Sequence, residues 1–238
     1  MTEKSSIDIF DINFPLIMED IAAAAKESGR SADDIILLGA TKTVSAEAVN
    51  HALKNGLKYI GENKVQELLD KFPKLSGGNR HFIGHLQTNK VKYIIDKVEM
   101  IESVSSVKLA REIDRRARDF GKTMDILLEV NIGGEESKSG FGPEELEGAL
   151  AEINELKNVK IKGLMTIPPA GTPEDTRKYF LKMQQLFVDI SAKNIDNVSM
   201  VYLSMGMSSD FAEAIRCGAN IVRVGTSLFG ARYYKECN

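Results

Sequence analysis

Short runs of apolar, often β-branched residues alternate along this chain with longer stretches whose apolar residues recur every three or four positions. Runs of the first kind suit strands of a parallel sheet, buried on both faces; the longer stretches suit crossover helices with one apolar stripe. The runs are 35–40 (IILLGA), 57–60 (LKYI), 81–84 (HFIG), 98–102 (VEMIE), 124–130 (MDILLEV), 160–165 (KIKGLM), 198–203 (VSMVYL) and 220–224 (NIVRV), eight in all. Helical period is clearest over 106–120, through Val107, Ala110, Ile113, Ala117 and Phe120, and over 174–193, through Phe180, Met183, Leu186, Phe187 and Ile190. Ser45, Thr88, Pro143 and the Thr172-Pro173-Glu174 step mark helix starts soon after strands. A further helix rich in Ile and Ala, over about 8–28, precedes the first strand.

Eight strand–helix units in 238 residues predict an α/β fold, a single (β/α)8 TIM barrel over residues 1–238, with the leading helix closing its bottom. A doubly wound open sheet is the alternative, but it usually has fewer strands and a Gly-rich first turn, where this chain reads ATKTVS. Composition agrees with one domain: 43% hydrophobic residues fill one core, and nothing is left over for a second.

Charge narrows the function. A formal net charge of −3 carries no footprint for nucleic acid or an anionic membrane. The start, MTEKSSIDIF, lacks the basic-then-apolar pattern of a secretory signal, no apolar run spans a bilayer, and a cytoplasmic protein is expected. Cys217 and Cys237 read as reduced thiols, and the H-x3-H of His81 and His85 alone is weak evidence for a metal.

In a TIM barrel the chemistry gathers at the C-terminal strand ends. Those positions hold Lys42, Asn63, His85, Ser103, Asn131, Thr166, Ser204 and Arg223. Ser103, Asn131 and Thr166 are read first as ordinary loop and cap residues. Lys42 follows an apolar strand, and no other charge lies between Asp34 and Glu47, so an inward ammonium would be desolvated toward the neutral amine that imine formation requires. A lysine reaching to solvent is the bland reading of the same position. After the last two runs come Ser204-Met205-Gly206-Met207-Ser208-Ser209-Asp210 and Arg223-Val224-Gly225-Thr226-Ser227, two Gly- and Ser-rich turns where barrels commonly bind phosphate, unless they are glycine turns and nothing more. A lysine, a phosphate cup and an arginine beside the cup form the set that pyridoxal 5'-phosphate needs, with Arg223 able to face the pyridine nitrogen or, alternatively, to pair with a carboxylate such as Glu62.

The stretches LLGATKTV (37–44), YIGENKVQE (59–67), HFIGHLQTNKVK (81–92), LMTIPP (164–169), LSMGMSSDFAEAIRCG (203–218) and VRVGTSLFG (222–230) resemble the YggS/PROSC-type pyridoxal phosphate homeostasis proteins over nearly the whole chain. The resemblance implies the barrel of the alanine racemase N-terminal domain without its β-domain, pyridoxal phosphate held as a Schiff base on Lys42, and cofactor homeostasis without established catalysis. It implies Arg223 at the ring nitrogen, Ser204, Ser208, Gly225 and Thr226 on the phosphate side, and Asn63, His85 and Met165 lining the pocket. Amino acids and apo-enzymes accepting the cofactor are the implied partners, and a monomer is expected. The alternative function is an amino-acid racemase or decarboxylase, which needs a second acid/base that His85 or Tyr59 would have to supply; a cofactor-free class I aldolase fits Lys42 but leaves Arg223 unexplained.

Overall fold

Eight parallel strands pair in chain order and close the first against the last. The structure is a computed structural model that describes residues 5–230; Cys237 lies outside them. The strands are β1 (Ile36–Ala40), β2 (Tyr59–Glu62), β3 (Asn79–Phe82), β4 (Met100–Val104), β5 (Met124–Glu129), β6 (Val159–Met165), β7 (Val198–Ser204) and β8 (Ile221–Val224). The expected α/β barrel is the observed fold.

Three strand limits move by about two residues. β2 and β4 run later than the apolar runs 57–60 and 98–102, and β3 runs earlier than 81–84. Leu57 and Val98 are buried as parts of the entering loops, while Ser103, read as a strand end, and Glu62, which lies beyond the apolar run 57–60, are buried strand residues. Burial of a polar residue inside a strand is decided by a partner across space, which a linear pattern does not contain.

Around the barrel stand α2 (Ala46–Lys54), α3 (Val65–Lys71), α4 (Val91–Ile94), α5 (Val107–Asp119), α6 (Leu146–Asn154), α7 (Pro173–Ala192) and α8 (Phe211–Arg216), with α9 (Thr226–Phe229) following β8. Ser45 and Thr172 cap as expected, accepting from the N–H of Ala48 and Asp175. Thr88 and Pro143 instead open 3-10 turns that lead into α4 and α6.

The leading helix, α1 (Ser6–Glu27), does not close the bottom of the barrel. It packs along the wall on α2, α8 and α9. Phe10 stacks at 4.9 Å on Phe14 and at 5.8 Å on Phe229 of α9, and Asn13 Nδ2 donates to the Ser227 carbonyl. Past its other end, Arg30 donates to the carbonyls of Ile215 and Ala219, just before β8. The described chain after β8 forms only the single turn of α9, so α1 covers the wall that an eighth crossover helix otherwise covers.

Two clusters result. The larger lies between strands and helices and includes Leu37, Ile60, Phe82, Ile101, Leu128 and Val222. The smaller fills the barrel with Leu38, Ile83, Met100, Leu127, Met165 and Ile221, joined by Ile36, Ala40, Tyr59 and Tyr202. Strand alternation separates them: Ile36, Leu38 and Ala40 face in, Leu37 faces out.

Candidate functional site

Continued past the strand ends, this alternation gathers a polar group at the barrel mouth. Thr41 carries on the ladder from β1 through its N–H to Gly61 O, and its hydroxyl turns outward to Glu62 at 2.6 Å. Lys42, the next residue, therefore falls on the inward side, two beyond Ala40, and it is half-buried. The turn behind it is strained: Thr43 is β-branched yet has φ of 65°, held by a bond from its N–H to Glu67 Oε2.

Arg223 occupies the inward register of β8, paired with Leu38 of β1 and almost wholly buried. Its Nη1 donates to Ser204 Oγ at 2.6 Å and its Nη2 to the Thr166 carbonyl at 2.8 Å. Burial lowers its pKa, opposed by Glu102, Glu129 and Asp210. The pairing with Glu62 is not what the structure shows: Glu62 faces the helices, where Lys71 binds it at 2.8 Å.

Ser204 departs from the phosphate-side position expected of it. Its hydroxyl is fully buried, accepts from Arg223 and donates to Glu102 Oε2 at 2.6 Å. It stands on the last inward position of β7, one pleat below the turn that bears Ser208, and the inward register turns it into the barrel instead. The two turns do meet. Ser208 Oγ accepts from the N–H groups of Gly225 and Ser227, and Gly206 O accepts from Arg223 N. A Cβ on Gly225 would lie 3.2 Å from Ala40 O, so this turn sits directly against the end of β1. Thr226 opens α9 with its side chain exposed.

Met165 is buried at the inward end of β6, between Glu129 and Ser204 in sheet register. Asn63 and His85 sit together on a cleft of about 520 Å³ whose other walls include Lys64, Gln87, Lys90 and Tyr93; among the described residues neither Lys42 nor Arg223 lines it. His85 is exposed, its Nδ1 3.0 Å from Ser139 Oγ. Ser103, Asn131 and Thr166 all bond to backbone carbonyls, Ser103 from within β4 and not from a loop as read for it.

Residues 38–233 match the alanine racemase N-terminal domain family model. The chain is 48% identical to the pyridoxal phosphate homeostasis protein of Aquifex aeolicus, over 92% of this chain and 96% of the relative. It is 35% identical to the one of Escherichia coli K12, over 94% and 97%. The chain belongs to the pyridoxal phosphate homeostasis protein family. Among solved structures, PipY of Synechococcus elongatus with PLP bound has a TM-score of 0.78 at 30% identity, covering 90% of this chain and 100% of its own. An alanine racemase of Clostridium difficile shares the barrel at a TM-score of 0.70 and 17% identity, over 57% of its length.

Within this family member, three site residues escaped the linear reading. His81, on β3, places Nδ1 2.6 Å from Glu102 Oε1, and both are buried inside the barrel. Burial pushes the Glu102 carboxyl up, but His81, Arg223 and Ser204 outweigh it and leave it below the usual carboxylate value. Glu129 ends β5 on the inward side; burial holds its carboxyl above the usual value against Arg223 and His85. The signal was a charge inside an apolar strand, in MIESV and MDILLE. His81, weighed as a metal ligand, is committed to Glu102, and among the described residues no group of three or more His, Cys, Asp or Glu could hold a metal.

Proposed function

We propose that this protein holds pyridoxal 5'-phosphate covalently through Lys42 and hands it on within the cytoplasm, without turnover of its own. The observation that carries this reading is Arg223: a guanidinium buried inside the barrel mouth, next in the sheet to β1, the strand that leads into Lys42, and followed closely by the Gly225 turn. The family membership and the PLP-bound PipY structure support it.

The residues present fit the group. Asn63 Oδ1 and Glu129 Oε2 are buried without a hydrogen bond among the described residues, which marks the mouth as polar surface lacking its partner. Lys42 would supply the amine, Arg223 the donor at the ring nitrogen, and Ser208, Gly225 and Thr226 the phosphate side; Asn63, His85 and Met165 would line the rest. Bound pyridoxal phosphate offers an aldehyde carbon to amines and a ring that withdraws electrons. A permanently charged guanidinium disfavours protonation of the ring nitrogen and so restrains that withdrawal, which suits holding over catalysis. Tyr59, weighed as an acid/base, packs edge-on against His81 at 5.6 Å inside the barrel, and His85 sits on the exposed rim. Function as a monomer is part of the same proposal. Among the described residues no helix is long and apolar enough to cross a membrane.

Borohydride treatment of the protein mixed with pyridoxal phosphate should fix one pyridoxyl group per chain on Lys42, as read by peptide mapping. A principal label elsewhere sinks the assignment. Incubation with L-alanine in D₂O should then show Cα exchange no faster than a free-cofactor control. Exchange far above it, lost in Lys42→Ala, would establish the racemase-type alternative.

A further inference from the structure

Behind Arg223 runs a chain of three hydrogen bonds of 2.6 Å each, crossing from β8 to β3 through the barrel interior: Arg223 to Ser204, Ser204 to Glu102, and His81 to Glu102. All four side chains are buried. The proton directions are determined by elementary chemistry. Arg223 donates only, so the Ser204 oxygen accepts from it and gives its single proton to Glu102. The carboxylate then accepts from Ser204 at one oxygen and from His81 Nδ1 at the other.

A buried arginine and a buried glutamate would ordinarily meet as a forked ion pair. Here a neutral hydroxyl stands between them. Glu102 therefore compensates the arginine's charge through space without occupying its N–H groups, and the second anchor, Thr166 O, is backbone. Two fixed acceptors, Thr166 O just past β6 and Ser204 Oγ on β7, hold the plane of the guanidinium, whose five donors leave others to serve a ligand.

Taking the pyridoxal phosphate reading as its basis, we propose that Ser204, Glu102 and His81 are positioning residues for Arg223, holding it as an undivided cation and thereby setting the electronic state of a pyridine ring bound against it. Loss of Ser204 would free the guanidinium to swing toward Glu102 or Glu129. Neutralising Glu102 would leave the arginine's charge less compensated and a weaker acceptor for Ser204.

The test has two readouts. With cofactor bound, Ser204→Ala and Glu102→Gln should each displace the absorbance maximum of the bound chromophore and the midpoint of its pH titration. The double variant should move them no further than the larger single change, because both act through one arginine. Ser204→Thr, which keeps the hydroxyl, should restore the wild-type spectrum. In the cofactor-free protein, solvent exchange of the Arg223 side-chain N–H signals, followed by NMR, should be at least tenfold faster in Ser204→Ala. Far-UV circular dichroism establishes that each variant is folded; should Glu102→Gln not fold, Ser204→Ala and its threonine counterpart decide. Wild-type spectra in folded Ser204→Ala would overturn the proposal. A wild-type protein that binds no chromophore would instead overturn the cofactor reading, and the exchange measurement would still judge whether Ser204 holds the arginine.

Discussion

Two glutamates near the same arginine carry opposite linkage signs. Glu129 has its carboxyl raised by burial, so it stabilises the fold below the ordinary carboxylate range and that contribution is lost as pH rises through its folded value. Glu129→Gln should therefore gain thermal stability relative to wild type at pH 7–8 and lose the advantage near pH 4, followed as Tm against pH. Glu102 has its carboxyl lowered, so its contribution is present above the ordinary range and disappears as pH falls through the folded value. Its replacement by Gln should destabilise most at neutral pH. Thr226 gives a separate expectation: Thr226→Val should weaken pyridoxal phosphate binding by about 0.5–1.5 kcal/mol, the net worth of one hydrogen bond to the phosphate from an exposed hydroxyl, and leave unphosphorylated pyridoxal nearly indifferent. Equal losses for both ligands, by isothermal titration, would place the phosphate elsewhere. All three predictions turn on where a side chain points, and only for Thr226 did the linear pattern point to a ligand. The two glutamates lie inside apolar strands, where their meaning comes from Arg223 across the barrel.

At the scale of elements, α1 is the part whose place differed from expectation. Its apolar stripe was legible, since Phe10, Ile17, Ile21, Ala24 and Ala25 are all buried, but a stripe does not say which surface receives it. The receiving surface is the wall at α8, α9 and α2. Phe10 is the anchor, 1% exposed between Phe14, Phe229 and, edge-on at 6.1 Å, His51. Phe10→Ala should cost about 3–5 kcal/mol in urea unfolding. Because Phe229 ends the turn that Thr226 begins, the same change should weaken binding of pyridoxal phosphate more than that of pyridoxal. An unchanged ratio would show that α1 supports the fold alone.

For the molecule as a whole, the closed sheet brings the ends of β1 and β8 side by side although almost the entire chain separates them. A ligand held as proposed, by Lys42 at one end and by Gly225–Thr226 at the other, would tie the seam of the barrel. Saturating pyridoxal phosphate at about one hundred times its Kd should add about 2.7 kcal/mol. For a chain of this size that is a rise in Tm of roughly 5–10 °C by calorimetry. Pyridoxine 5'-phosphate, which lacks the aldehyde, should give a smaller rise, and Lys42→Ala should make the two ligands equivalent. If they are already equivalent in the wild type, covalent attachment is not what stabilises the holo-protein.

Local pattern by itself determined the strand–helix alternation, the eightfold count and the positions of Lys42, Arg223 and the two glycine turns, because these follow from side-chain periodicity and backbone freedom, which neighbouring residues settle. The conversion of Ser204 from a phosphate-side residue into the link between Arg223 and Glu102, the pairing of His81 with Glu102, the diversion of Glu62 to Lys71 and the seat of α1 were decided by tertiary structure. Each is a choice of partner for a group that burial forbids to stand alone, and the available partners come from strands and helices far apart in the chain. The desolvation that fixes those choices exists only once the barrel has closed.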